Sequence, residues 1–532
     1  MTLPPHSAPI YGGDTDGCST CVPEESFARK ASLLNRPPGS YSTVRGVRLK
    51  LKPFLFLCVF VVAASFAAAA IDTKPVDPAQ IVAWLTGGVS SERLARLIQQ
   101  RGLAGTAGKQ ELKQLQSAGA NTDLIRALSA GNSTNSKAIP SALLKAAALA
   151  HNEKWHDAEL QLRDAINSDP ENASLHFALA AMLRQQDQFD DAFDELTQSA
   201  HLMPDLPENH IAFAYIFYRE DDGPNAIAEA RTALSMDPQN SEAYQYLGLG
   251  LYSNGQYRAA VHAYAESLAR DPHNADTYYD MGIALHADGN LPGALAAYDK
   301  AIELRPPFWE AHSNRGLTLH EEGKLAEAVT EYREAKRLAP EEPSIRNNLG
   351  NTYCDLQNYD AAIDEMRDLY RQHPEWQQGH GCLASAYMAK KSYDAAIEQL
   401  HLAVLQNPTG SSEHRILGQA LLLNNEPEEG IRELRLAVTL NPDSDVAHHF
   451  LGTALFQQQQ LQAAEKEFRE ALRLKSTADN HYSLAACLMT MDRYDEALSE
   501  LDLAARLDPE RQLYRARREE LLKLMKGSNA KN

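Results

Sequence analysis

Small and apolar residues return along most of the chain in one fixed phase. In residues 241–274 they stand at Tyr244, Leu247, Gly248, Leu251, Ala260, Tyr264 and Ser267, ahead of Pro272. In residues 275–308 the same places hold Tyr278, Met281, Gly282, Leu285, Ala294, Tyr298 and Ala301, ahead of Pro306. Steps of three and four within each half mark one face of a helix, so each unit predicts two short helices joined by a turn. The prolines at 170, 204, 238, 272, 306, 340, 374, 408 and 442 are each 34 residues apart; the series continues at Ser476 and, after one 33-residue step, at Pro509. A period of this length is the mark of a repeat array, here eleven units over residues 139–511.

The residues explain the spacing. Gly248, Gly282, Gly316, Gly350, Gly418 and Gly452 occupy one position of the first helix, where a missing side chain lets the partner helix come close. Alanines 192, 226, 260, 294, 328, 362, 396, 464 and 497 fill the matching place on the second helix. Gly430 replaces that alanine in repeat 9, at a cost of about 1 kcal/mol in helix propensity. The proline ends the second helix because it has no N–H to continue the ladder. No unit can bury its apolar face alone, so stability must come from stacking, with polar caps at the ends. Residues 512–532 supply a capping helix and tail, with Leu513, Leu521, Leu522 and Leu524 expected to face the last repeat. Residues 131–138 read as a linker, and residues 76–130 as a small helical module, either distinct or packed on repeat 1.

This pattern resembles the tetratricopeptide-repeat family over about 70% of the chain. The resemblance implies an all-α fold, a right-handed superhelical solenoid whose inner groove, lined by the first helix of each unit, takes peptides or extended protein segments. Repeat positions 2, 5, 6, 9, 12 and 13 would then point inward. Position 6 holds Tyr246, Asp280, Asn314 and Asn348 in successive repeats, with Asn347 and Asn351 beside them. An asparagine offers both a donor and an acceptor to a passing backbone. The array of the O-GlcNAc transferases is similar in its asparagine ladder, although only two consecutive units match here. Tyr215, Tyr218, Tyr252 and Tyr279 would add rigid anchoring surface, and Arg415 a contact for a carboxylate or backbone. The competing reading of all these positions is a solvated polar face. No Lys/Arg set spans neighbouring repeats in the manner of the clamp that holds acidic C-termini.

Charge and the N-terminus narrow the class. The chain has 51 Lys and Arg against 71 Asp and Glu, a net charge of −20, which argues against a nucleic-acid partner and favours basic ones. Residues 1–52 form a leader, followed at 53–70 by an uncharged apolar run behind Arg45, Arg48, Lys50 and Lys52. The run reads as a signal peptide ending near Ala68 and Ala70, or as an uncleaved membrane anchor. Its position some fifty residues in leaves open a later true start near Val44 or Val47. Either way the repeats are expected outside the cytoplasm, in the periplasm or an equivalent space, with the membrane touched only through this run.

The six cysteines suggest no disulfide framework, and the CSTC of Cys18–Cys21 is a weak, isolated pair. Histidines 176, 210, 312, 380, 414, 448 and 481 share repeat position 4. Equivalent positions in neighbouring repeats lie about a helix diameter apart, too far to share a zinc ion, so these side chains should pack between the two helices of a unit. His286, His320 and Cys354 at position 12 fail as a metal site on the same ground. Buried and neutral histidines would have depressed pKa values and lose stability as pH drops below about 6.5. No phosphate-binding glycine loop, GxSxG or HExxH motif occurs, and only 21 residues follow Arg511. The expectation is therefore a non-enzymatic scaffold without cofactor or metal that binds other proteins or peptides. The alternative is a substrate-presenting or structural part of an envelope, secretion or glycosyltransferase assembly.

Overall fold

The structure, a computed structural model, describes residues 75–130 and 139–529. The leader, the apolar run 53–70, the linker 131–138 and Cys18, Cys21 and Cys58 lie outside the described residues. Four short helices come first: α1 (Pro78–Thr86), α2 (Ser91–Arg101), α3 (Lys109–Ser117) and α4 (Thr122–Ser129). Five hairpins follow: α5 (Ser141–His151) with α6 (Trp155–Ser168), α7 (Ala173–Gln185) with α8 (Phe189–Leu202), α9 (Pro207–Arg219) with α10 (Gly223–Met236), α11 (Ser241–Ser253) with α12 (Tyr257–Arg270), and α13 (Ala275–Ala287) with α14 (Leu291–Leu304). Six more complete the series: α15 (Trp309–Glu321) with α16 (Leu325–Leu338), α17 (Pro343–Asp355) with α18 (Tyr359–Gln372), α19 (His380–Ala389) with α20 (Tyr393–Gln406), α21 (Ser411–Leu423) with α22 (Pro427–Leu440), α23 (Asp445–Gln457) with α24 (Leu461–Leu474), and α25 (Ala478–Thr490) with α26 (Tyr494–Leu507). A last helix, α27 (Gln512–Asn529), ends the chain. Among the described residues there is no strand beyond an isolated Val76–Leu103 bridge, and no helix is long and apolar enough to cross a membrane. The fold is all-α, in tandem helical hairpins. It divides between Ala311 and His312 into an N-terminal and a C-terminal compact unit.

The hairpins close where the sequence omits side chains. A Cβ on Gly248 would lie 2.5 Å from the Tyr264 ring, so α11 and α12 can meet only with glycine there. In repeat 9 two glycines face each other: a Cβ on Gly430 would lie 2.9 Å from the Gly418 carbonyl oxygen. Gly430 is therefore a packing residue, and its loss of propensity is offset by the close approach of α21 and α22. Each hairpin turn carries one residue at positive φ, at 153, 187, 221, 255, 289, 323, 357, 391, 425, 459 and 492. The single 33-residue step is located by the connections: residues 441–444 join α22 to α23, whereas only residues 475–477 join α24 to α25. The missing proline and the one-residue shortening thus fall in the same connection.

The N-terminal helices are not a free-standing module. Trp84, Ile81 and Val82 of α1 share a core with Phe177, Ala178 and Ala181 of α7, and α1 packs directly on α5 and α7, the first helices of repeats 1 and 2. Every residue of α7 from Ala173 to Leu183 is buried, because one side meets its own hairpin and the other meets α1. Farther along, Arg93 of α2 reaches Glu208 on α9 at 3.4 Å and Asp237 at 2.6 Å. The segment thus covers the first-helix face of repeats 1 and 2 and touches repeat 3.

At the other end the expected face of the cap is corrected. Leu521 is fully buried as expected, but Leu513 and Leu524 are exposed, and Tyr514, fully buried, takes the inward place with Met525 packed behind. Steps of four and three place 514, 518, 521 and 525 on one side of α27. The tyrosine hydroxyl donates to Asp479 Oδ1 at 2.7 Å.

Candidate binding faces on the first helices

In the N-terminal unit, positions 5, 6, 9 and 12 of repeats 3 to 5 gather around one carboxyl group. Asp280 of α13 is half-buried and accepts a hydrogen bond from Gln245 Nε2 of α11 at 3.0 Å. Burial, with Asp276 adding repulsion, pushes its pKa up to about 7 despite that bond. Tyr218, Tyr246 and Tyr264 all feel its charge, and burial holds their hydroxyls well above the ordinary tyrosine value, so all three remain neutral. Tyr246 meets Tyr215 edge to face at 5.9 Å between centroids. The Arg184 guanidinium lies 4.8 Å from the centre of the Tyr215 ring, and Arg219 Nη1 donates to the Tyr215 hydroxyl at 2.7 Å. The other two tyrosines face inward to the protein. Tyr252 is buried against Tyr257, and Tyr279 packs on Phe308 and Tyr298.

A further carboxyl on this face, Glu208, is buried and pushed upward by that burial, while Glu242 beyond it is exposed. Arg93 opposes the shift at Glu208, and Arg184 lies within electrostatic reach of Glu242. Gln245, Glu242, Glu208 and Arg184 were absent from the set drawn from sequence. The inward positions 5, 2, 2 and 12 do include them, so reading those positions in repeats 2 to 4 would have found them. Arg93 lies outside the repeats and had no such signal.

The C-terminal unit holds the amide residues and Arg415. Asn314 and Asn347 are buried, at 4% and 7% exposure, while Asn348 and Asn351 are half-exposed. The Asn347 Oδ1 has no hydrogen-bond partner among the described residues. Arg415 is half-buried, stacks on Phe450 at 5.8 Å and donates to Gln419 Oε1 at 3.1 Å, so its guanidinium is already engaged. Cys354 of α17 and Cys382 of α19, at positions 12 and 6, form a disulfide with Cα atoms 6.1 Å apart. The sequence spacing gave no sign of it. It ties repeat 7 to repeat 8, whose first helix is only ten residues long because the chain enters it late, through Gly379 at φ +94°.

The tetratricopeptide-repeat family model matches residues 143–207, 246–307, 279–343, 347–412 and 449–511, together more than half of the chain. The chain belongs to the tetratricopeptide-repeat family. No curated protein matches it in sequence. Among solved structures it is similar to yeast Tom70, at 15% identity and TM-score 0.32, over 73% of this chain and 94% of that one. It is also similar to a chain of the APC/C hetero-tetramer Cut9–Hcn1, at 12% identity and TM-score 0.38, over 79% and 93%. YrrB, described as a tetratricopeptide-repeat protein with an unusual peptide-binding site, is 20% identical with TM-score 0.33, over 36% and 97%.

The tetratricopeptide hairpins also explain the histidines. At position 4, Nδ1 meets the glutamate nineteen residues later on the second helix: His176 with Glu195, His210 with Glu229, His414 with Glu433, His448 with Glu467 and His481 with Glu500, all at 2.6 Å, and His312 with Glu331 at 2.8 Å. They do pack within their own hairpins, but not as isolated neutral rings. The His176 Nε2 donates to the Pro170 carbonyl at 3.0 Å, so both ring nitrogens face acceptors, which favours the imidazolium. Its pKa is accordingly raised, chiefly by Glu195, and the expected depression is wrong for this residue. His380 meets neutral Gln399 instead, and burial lowers its pKa, as it does for His449. Among the described residues no group of three His, Cys, Asp or Glu side chains is arranged to hold a metal.

Proposed function

We propose that this tetratricopeptide-repeat protein is an exported, non-catalytic interaction scaffold that holds an extended segment of another protein along its first-helix faces. The observation that carries the reading is internal to the N-terminal unit: the chain's own α1 already lies on α5 and α7, and α2 reaches α9 through Arg93. Immediately beyond, Tyr215, Tyr218, Gln245, Tyr246 and Asp280 leave polar and aromatic surface half-exposed on α9, α11 and α13. In the C-terminal unit the half-exposed Asn348 and Asn351 are the matching contacts, and Arg415 keeps further N–H groups beyond the one bonded to Gln419.

Export is supported by the apolar run 53–70 and by the Cys354–Cys382 bridge, since structural disulfides persist in oxidising compartments and are rare in the cytosol. An alkaline phosphatase that needs its own disulfides, fused after residue 75, should be active in the host, and inactivity would contradict export. Binding is tested by recovery of partners with wild-type protein and with Tyr246→Ala/Asn348→Ala. The double variant should lose most of the recovered protein while keeping its helical signal; unchanged recovery would remove these faces from the binding site.

A further inference from the structure

Along the first-helix face of the N-terminal unit three carboxyl groups follow one another, and they differ in what neutralises them. Glu208 has Arg93, supplied by the segment that lies on the helices. Glu242 lies in the field of Arg184. Asp280 has only the neutral amide of Gln245, and no Lys or Arg among the described residues forms an ion pair with it. Tyr218, Tyr246 and Tyr264 belong to the cluster packed against α13 and lie within reach of the Asp280 charge, and Tyr218, Tyr246 and Asp280 itself are half-exposed.

We propose that Asp280, with the half-exposed Tyr218 and Tyr246 of the same face, is the receptor for a lysine or arginine side chain of the bound segment, so that the partner is basic at this point. This rests on the binding reading above and names its chemistry. A carboxylate set among aromatic rings gives a cation both a charged hydrogen-bond acceptor and ring faces, and both gain strength where water is displaced. Arg93 is the internal precedent: two repeats earlier, the segment lying across this face places its guanidinium 3.4 Å from Glu208 on α9 and 2.6 Å from Asp237 at the end of α10. The acidic chain, with net charge −20, attracts such a partner from a distance. The groups facing Asp280 that bear on its charge are Asp276 on its own helix, Gln245 on α11 and the three tyrosines, all of them neutral or acidic. An arriving cation therefore favours the ionised carboxylate.

The test uses the full chain and fluorescein-labelled Gly-Lys-Gly-Lys-Gly-Lys-Gly, read by anisotropy, beside the same peptide with serine for lysine. The lysine peptide should bind, Asp280→Asn should weaken it at least tenfold, and Asp191→Asn, an exposed carboxylate on α8, should change it less than twofold. Asp280→Asn keeps the shape and the Gln245 contact, so its melting temperature should match or exceed wild type. Wild-type binding should decline between pH 8 and pH 6 as Asp280 takes up a proton, and the variant should show no such slope. Equal binding by Asp280→Asn overturns the assignment, as does equal binding of the serine peptide, which would leave the groove reading standing. Binding of neither peptide removes both. Spermidine, as a free amine, should compete only at far higher concentration; displacement at equal concentration would overturn a peptide side chain as the ligand.

Discussion

The two units are built from the same 34-residue unit, yet their first-helix faces are used differently. In the N-terminal unit the face of repeats 1 and 2 is apolar, with Phe177, Ala178 and Ala181, and it is covered by α1. The next repeats then expose tyrosines around a carboxyl group. In the C-terminal unit the equivalent positions carry asparagines, an arginine stacked on Phe450, and a disulfide. The lesson is a separation of duties. Glycine, alanine, aromatic and proline positions fix the hairpin, and the inward positions are free to vary with what they touch.

The largest expected effect removes the N-terminal cover. Trp84→Ala should cost about 3–5 kcal/mol, because the ring is only 2% exposed and the cavity cannot refill. Hydrogen exchange should accelerate in repeats 1 to 3 and stay unchanged beyond Ala311. Uniform acceleration would show that the cover is not local. Next comes the staple of the C-terminal unit. Cys382→Ser should cost about 3 kcal/mol for its 28-residue loop, with faster exchange in α17 and α19, and reduction of the wild type should reproduce it.

Gly430→Ala tests whether the hairpin rule outranks helix propensity. Propensity alone promises a gain of about 1 kcal/mol, but the new Cβ would press on the Gly418 carbonyl, so a loss of about 1–3 kcal/mol is expected in a denaturant melt. Acidification gives the smallest effect, and its sign should differ between the units. The contributions of His176 and Asp280, whose folded pKa values are raised, are complete below their unfolded values and fade as pH rises through the folded ones. Those of His380 and His449, whose values are lowered, are complete above 6.5 and fade as pH falls. Between pH 7.5 and pH 5.5, exchange should slow around α7 and α13 and quicken around α19 and α23. The same direction in both units would contradict the assigned partners.

The hairpin register, the turn spacing and the tetratricopeptide family could be read from the sequence because they depend on local, repeated packing. The covering of α7 by α1 could not, since it joins residues that share no period, although the all-apolar run around Phe177 was a visible hint. The cap shows a similar limit: of the leucines expected inward, Leu521 is fully buried but Leu513 and Leu524 are exposed, and helical phase puts Tyr514 in the face instead. The disulfide escaped because Cys354 and Cys382 stand 28 residues apart, out of step with the 34-residue unit, and meet only when two hairpins stack. The histidines were placed correctly between helices, but their charge depends on Glu195 and Gln399, nineteen residues away.

The central claim is that partners are held on the first-helix faces. Photo-crosslinking from p-benzoylphenylalanine at Tyr246, compared with the same probe at Leu405, which is 75% exposed on α20, tests it most directly. In host extract the account predicts a discrete crosslinked partner from position 246 and none from 405. Crosslinks from 405 with none from 246 would contradict it.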